Sequence, residues 1–156
     1  MRGRTRKRVG VIYHFWSVNE ISVETDTALE SPPRMGEDAR PPTVLVVDDD
    51  ASLRLLCRVN LELDGYRVLE AHEVAEAEEL LRSEAVDLVL LDVHVGPDSG
   101  IELMRSVREQ GGAPPIVLVT GSARLDADTQ AEADGVVGKP FRLEELLGVV
   151  RRLVSR

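Results

Sequence analysis

The chain has a single cysteine, Cys57, so no disulfide can form within it. Its neighbours Leu55, Leu56 and Val59 give a helical apolar pattern in which Cys57 reads as a core residue. An unpaired core thiol fits a reducing compartment, and the cytoplasm is the expected location. Long apolar runs are also missing, and nothing approaches the roughly 18 consecutive residues that argue a membrane span. Arg2, Arg4, Arg6, Lys7 and Arg8 precede a short apolar run over residues 9–16, which imitates the front of a secretory signal. His14 interrupts that run and no small-x-small cleavage site follows, so export is not expected. Positive charge is in deficit: 19 Lys and Arg against 28 Asp and Glu leave a net charge of -9. Nucleic acid and membrane surfaces are polyanionic and would repel most of such a molecule, so neither is an expected partner. Cations and basic partner faces are. His14 and His72 have no metal-ligand spacing, and there is no His or Cys cluster.

What is present is a globular composition, 43% hydrophobic and 30% charged over 156 residues, enough for one ordinary domain with a real core. Residues 1–42 stand apart. They lack useful periodicity and end in Ser31-Pro32-Pro33-Arg34-Met35-Gly36 and Arg40-Pro41-Pro42, so they are expected to form a disordered arm or linker. Met35 is an alternative start, which would leave the residues before it untranslated. No internal repeat is visible.

From Thr43 short apolar runs alternate with amphipathic stretches. The runs cover residues 44–47, 66–69, 86–91, 116–119 and 136–137, and being apolar on both faces they read as strands buried on both sides. Between them, helical faces are formed by Leu56, Val59 and Leu63 up to Gly65, then by Val74, Ala77 and Leu80, and then by Ile101, Met104 and Val107. The last is formed by Leu143, Leu146, Leu147, Val150 and Leu153; a fourth helix over residues 124–133 is weakly marked. Ser99-Gly100-Ile101-Glu102 has the form of a capping box. Five strands alternating with five helices predict an α/β fold, a doubly wound parallel sheet with its ligand site outside the carboxyl ends of the strands.

That arrangement brings chemistry to one edge. Asp48 and Asp49 end the first strand, Asp92 the third and Thr120 the fourth, and Lys139 follows the fifth. Three gathered carboxylates repel one another unless a cation joins them. With few protein oxygens available, Mg2+ retaining several waters fits better than Zn2+ or Ca2+. A metal beside a carboxylate nucleophile, a lysine and a hydroxyl is what phosphoryl transfer requires. Each piece has a plainer reading: Asp48-Asp49-Asp50 as a helix cap, Thr120 as a strand-end hydroxyl, Lys139-Pro140 as a surface turn. Their coincidence at successive strand ends is the stronger signal.

This ordered set resembles the receiver domain of bacterial two-component response regulators, over residues 43–156. The resemblance is carried by Val-Leu-Val-Val-Asp48-Asp49-Asp50, Leu-Val-Leu-Leu-Asp92, Ser99-Gly100, Val-Leu-Val-Thr120-Gly121 and Gly138-Lys139-Pro140-Phe141. It implies a flavodoxin-like (βα)5 fold with strand order 2-1-3-4-5 and a phosphoryl group accepted on Asp92. It further implies Mg2+ held by Asp49, Asp92 and the backbone carbonyl of His94, with Asp48 helping through water. Thr120 would bond the phosphoryl oxygens, Lys139 would pair with them, Gly121 would keep the entrance open, and the Lys139-Pro140 bond would be cis. The expected donor is a histidine kinase or a histidine phosphotransfer protein, and the downstream protein target is unknown. The chain ends after the fifth helix, so a stand-alone receiver acting by protein contact is expected.

Three departures concern the broadcasting of the signal. Gly96 stands where the family has proline, with Pro97 after it, suggesting a looser loop. Val136 stands where an aromatic switch residue is common, and the stretch from Thr120 to Lys139 is shorter by roughly one helical turn. His94, beside the acceptor, is expected as a solvent-facing loop residue, the alternative being a modulator of the attacking water. Leu53 and Leu56 are candidates for an exposed contact with a partner kinase, with Leu56 expected in the core. A phosphatase of the haloacid dehalogenase type, with Asp48 as nucleophile and Asp50 as acid/base, fails on Ala51-Ser52 in place of Gly-Thr and on the missing acidic pair after Lys139. A receiver-shaped module that is never phosphorylated is disfavoured by the intact acidic set.

Overall fold

The five apolar runs form one parallel sheet: β1 (Thr43–Val47), β2 (Arg67–Ala71), β3 (Leu88–Asp92), β4 (Ile116–Thr120) and β5 (Gly135–Gly138), in the order β2-β1-β3-β4-β5. The structure, a computed structural model, describes residues 9–10, 24–25, 40–121 and 125–154. Its contacts divide the chain into two units, Met1–Arg40 and Pro41–Arg156. In the first unit Val9–Gly10 pairs antiparallel with Glu24–Thr25, so these four residues depart from the expected lack of regular structure. The rest of the expected arm, and the alternative start at Met35, lie outside the described residues.

Every residue of β1, β3 and β4 is buried, as strands covered on both faces must be. Alternation then sorts the core. Val44, Val46, Leu88, Leu90, Val117 and Val119 face one layer with Cys57 and Leu61 of α1 (Ala51–Leu63) and Leu146, Val150 and Leu153 of α5 (Leu143–Val154). Leu45, Val47, Val89, Leu91, Ile116 and Leu118 face the other, with Ala77 of α2 (Val74–Ser83) and Leu103 and Met104 of α3 (Gly100–Glu109). Each fully buried Leu, Ile or Val contributes about 1.5–3 kcal/mol relative to exposure, so the layers hold the strand register firmly. The remaining helix, α4 (Ala127–Glu132), is short, and the expected start at Arg124 lies outside the described residues.

Helix α1 departs from its expected orientation. Cys57 is buried as anticipated, but it shares its face with Leu61 and half-buried Leu53, whereas Leu56 and Val59 are 45% and 44% exposed and Leu63 is 81% exposed. The helix carries two apolar stripes, and Asp50 sets its start. Its carboxylate accepts from the backbone N–H groups of Ser52 and Leu53, which fixes where the helix begins, and from that start the Leu53, Cys57, Leu61 stripe packs on the sheet. At α3 the cap is as expected, Ser99 accepting from the Glu102 N–H at 3.3 Å.

Candidate functional site

Strand order reverses between β1 and β3, and this switch point is where a doubly wound sheet opens a crevice. Asp48 follows β1 and Asp92 ends β3, so the topology alone sets the two carboxylates side by side. Carboxylate oxygens of Asp48, Asp49 and Asp92 lie within 4.8 Å of one another, with Asp48 and Asp92 buried and Asp49 exposed. On the far strands, Thr120 pairs in register with Gly138, and the Lys139 N–H donates to the Thr120 carbonyl at 2.7 Å. Thr120 is buried at the end of β4. From there the Lys139 Nζ reaches back to Asp48 Oδ2 at 2.8 Å and Asp92 Oδ2 at 3.1 Å.

This ammonium offsets part of the gathered negative charge. Burial raises the Asp48 carboxyl above its ordinary pKa, against the lowering hydrogen bonds from Lys139 and the Asp50 N–H. For Lys139 burial works downward, but hydrogen bonds to Asp48 and Asp92 more than reverse it, so the ammonium is held above the usual lysine value. Cys57 lies beneath, lining a small cavity with Asp48, Asp92 and Phe141. Burial, reinforced by the Asp48 charge, pushes its thiol up to about 11, so it is an inert core group.

The loop after Asp92 is built tightly. Gly96 adopts φ +59, and His94 and Val95 pair antiparallel with Ser99 and Asp98, so a closed hairpin stands where a looser loop was expected. The His94 N–H donates to Asp92 Oδ1 at 3.2 Å while its side chain is exposed. The Gly100 N–H donates to the Val93 carbonyl at 2.8 Å, and a Cβ on Gly100 would stand 1.9 Å from the Asp92 carbonyl oxygen. Only glycine lets α3 approach the end of β3 so closely. Opposite, the site is open at Gly121, where an added Cβ would meet nothing within 4 Å. The Lys139-Pro140 peptide is cis.

Two residues of this neighbourhood escaped the sequence reading. Arg54 Nη1 donates to the Asp48 carbonyl at 2.6 Å, and Glu70 of β2 lies 3.6 Å from the Arg54 Nε. The signal available was thin: a charge inside the apolar face of α1, and a glutamate at the end of an apolar strand. Asp50, by contrast, caps α1 through its Oδ1.

The family model for the response regulator receiver domain matches residues 44–151. The chain belongs to the response regulator receiver family. Response regulator MprA of Mycobacterium ulcerans is 39% identical over 116 residues, covering 72% of this chain and 50% of that protein, and MprA of Mycobacterium tuberculosis is 38% identical. The chain therefore spans about half the length of these curated relatives. Among solved structures, response regulator TrrA of Thermotoga maritima, in complex with Mg2+-BeF, is 32% identical with a TM-score of 0.67, covering 72% of this chain and 98% of that one. The receiver domain of HemR from Leptospira biflexa is likewise 32% identical, with a TM-score of 0.68 over 74% of this chain and 95% of that one. The expected flavodoxin-like receiver fold, with strand order 2-1-3-4-5, is thus the observed one. Receivers of response regulators are signalling proteins of two-component systems. No helix among the described residues is long and apolar enough to cross a membrane.

Proposed function

We propose that this receiver takes a phosphoryl group from a phosphohistidine donor, a histidine kinase or histidine phosphotransfer protein, onto Asp92 with Mg2+, and signals by protein contact. The observation that carries the proposal is the convergence of Asp48, Asp49 and Asp92 with Lys139 bound to two of them. A hard divalent cation suits an all-carboxylate donor set with a basic group already in place. Asp48, Asp49, Asp92 and the His94 carbonyl would hold it, and when bound it neutralises charge on the transferring oxygens.

In the transfer, a carboxylate oxygen of Asp92 attacks phosphorus in line, the P–N bond of the phosphohistidine breaks, and the imidazole leaves with its electron pair. The product is an acyl phosphate on Asp92 and a free histidine on the donor. The Lys139 ammonium exchanges carboxylate for phosphoryl oxygen, and Thr120 at the end of β4 supplies a hydroxyl to another. Attack by water on the acyl phosphate returns inorganic phosphate and the resting carboxylate.

The exposed stripe of α1 supports the same reading. Ser52, Leu55, Leu56, Val59 and Asn60 line a shallow groove that begins one turn from Asp49. A donor helix laid there would bring its histidine toward the acidic pocket, and on this reading Leu56, expected in the core, belongs to the docking face.

Incubation with a small acyl phosphate and Mg2+, followed by intact mass, tests the proposal. One added phosphoryl group is expected, and none in Asp92→Asn. Full labelling of that variant would show that another group is the acceptor.

A further inference from the structure

The turn from Asp48 to Asp50 has to do something unusual: leave a buried strand, start a helix, and present a carboxylate to the sheet edge within three residues. Its hydrogen bonds show how. The Asp50 N–H donates to Asp48 Oδ1 at 2.8 Å, and Asp50 in turn caps α1 through its own carboxylate. The Asp48 N–H still follows the sheet, donating to the Ala71 carbonyl at 3.1 Å. Strand β2 ends at Ala71, however, so the Asp48 carbonyl is past the last ladder partner on that side. A carbonyl at a buried residue needs a donor, and Arg54 supplies it at 2.6 Å.

Arg54 is itself braced. Its side chain is 17% exposed, and Glu70, which also pairs with Arg58 at 3.1 Å, stands beside its Nε. A guanidinium can serve both partners at once because its donors are fixed in a planar fork. The chain thus contains a path from β2 through Glu70 and Arg54 to the backbone carrying Asp48 and Asp49.

We propose that Arg54, braced by Glu70, is a positioning residue for the metal: its hold on the Asp48 carbonyl fixes the turn that sets Asp49 against Asp48 and Asp92. The inference rests on the Mg2+ reading of the preceding subsection. Groups that orient metal ligands without touching the ion affect affinity strongly, since misplaced ligands must be reordered on binding.

Titration calorimetry with magnesium chloride on the full chain, well below the melting temperature, tests it in Arg54→Met, Arg54→Lys and Glu70→Gln beside the unaltered protein. Arg54→Met is expected to weaken Mg2+ binding about tenfold. Arg54→Lys falls between, because one ammonium can reach the carbonyl but lacks the fork that also reaches Glu70. Glu70→Gln loses less. Melting curves in chelator separate this from a purely structural role, which lowers the melting temperature and leaves the Mg2+ affinity of the folded protein unchanged. Affinities within about twofold of the unaltered protein in all three variants overturn the proposal. If Arg54→Met does not fold, an unchanged affinity in the other two overturns it alone. Failure of the unaltered protein to bind Mg2+ sinks both this inference and the metal part of the proposed function. Mg2+ binding without labelling of Asp92 sinks only the phosphoacceptor reading.

Discussion

The acidic pocket and the surface made by α4 and β5 are held by different physics. In the pocket, carboxylates at the ends of the wholly buried strands β1 and β3 are fixed by backbone and lysine contacts: Asp48 and Asp92 are 2% and 8% exposed. Around α4, and on the outer side of β5 whose Val137 is buried in the core, the side-chain ties are polar and lie near water. Arg105 of α3 grips Glu132 at 2.9 and 3.0 Å, Arg108 meets Asp134 at 2.7 Å, and Val136 is 39% exposed. The Asp126 carboxyl is held below its ordinary value by hydrogen bonds from the Thr129 N–H and hydroxyl, and Glu132 by its bond to Arg105. Exposed pairs of this kind contribute little and are screened by salt. The contrast teaches that the acidic pocket sits on buried strands, whereas α4 is tied to its neighbours largely by salt-screened pairs near the surface.

The largest effect is expected at the metal. An ion that binds only the folded site stabilises it by about 2.7 kcal/mol at a concentration 100 times its dissociation constant. Melting curves with and without Mg2+ should show this shift in the unaltered protein and lose it in Asp49→Asn. An undiminished shift in that variant would remove Asp49 from the ligand set.

Next comes Gly100→Ala. The new methyl would sit 1.9 Å from the Asp92 carbonyl oxygen, so backbone at the acceptor or at the start of α3 must shift. A loss of about 1–3 kcal/mol is expected from overpacking, with slower labelling of Asp92, both read from denaturant melts and intact mass. A variant as stable as the parent would mean that α3 yields easily, which breaks the contrast drawn above.

A smaller, pH-dependent effect concerns Asp48. Burial raises its folded-state pKa above the unfolded value, so the contribution to stability is present below about pH 3.8 and is lost as pH rises through the folded value. Without metal, Asp48→Asn should therefore melt higher than the parent at pH 7, and the gain should shrink toward pH 4. An Asn that destabilises at pH 7 would show that the Lys139 pairing outweighs the cost of burial.

The sequence made the pocket legible because its chemistry and its topology agree: apolar runs fix strand ends, and Asp48, Asp92 and Thr120 stand at three of them. It was misleading on α1, where Leu56, Val59 and Leu63 form as regular a stripe as Leu53, Cys57 and Leu61, and only packing against the sheet separates the two. Arg54 and Gly100 were illegible as supports for a related reason. Their roles come from a single backbone carbonyl each, at Asp48 and Asp92, and no periodicity encodes where a carbonyl points.

The smallest expected effect tests the output side. Phosphorylation at Asp92 should draw the Thr120 hydroxyl inward, and in the resembled family an aromatic ring fills the space behind it. Val136 cannot, being short and stiff about its first torsion. It also stands opposite Leu118 rather than Thr120 in the β4–β5 register, and its side chain is partly in solvent. Coupling is then expected to run through backbone, to which the salt-screened ties of α4 offer little resistance. In NMR spectra of the phosphorylated protein, large shifts are expected at residues 94–99 and from Gly121 onward, with smaller ones at Val136. Val136→Tyr should enlarge the response near β5 only modestly, since six-residue α4 leaves a ring little to pack against. Largest shifts centred on Val136 and Phe141 in the unaltered protein would mean that a side-chain switch operates here after all, and that the output surface is as closely determined as the pocket.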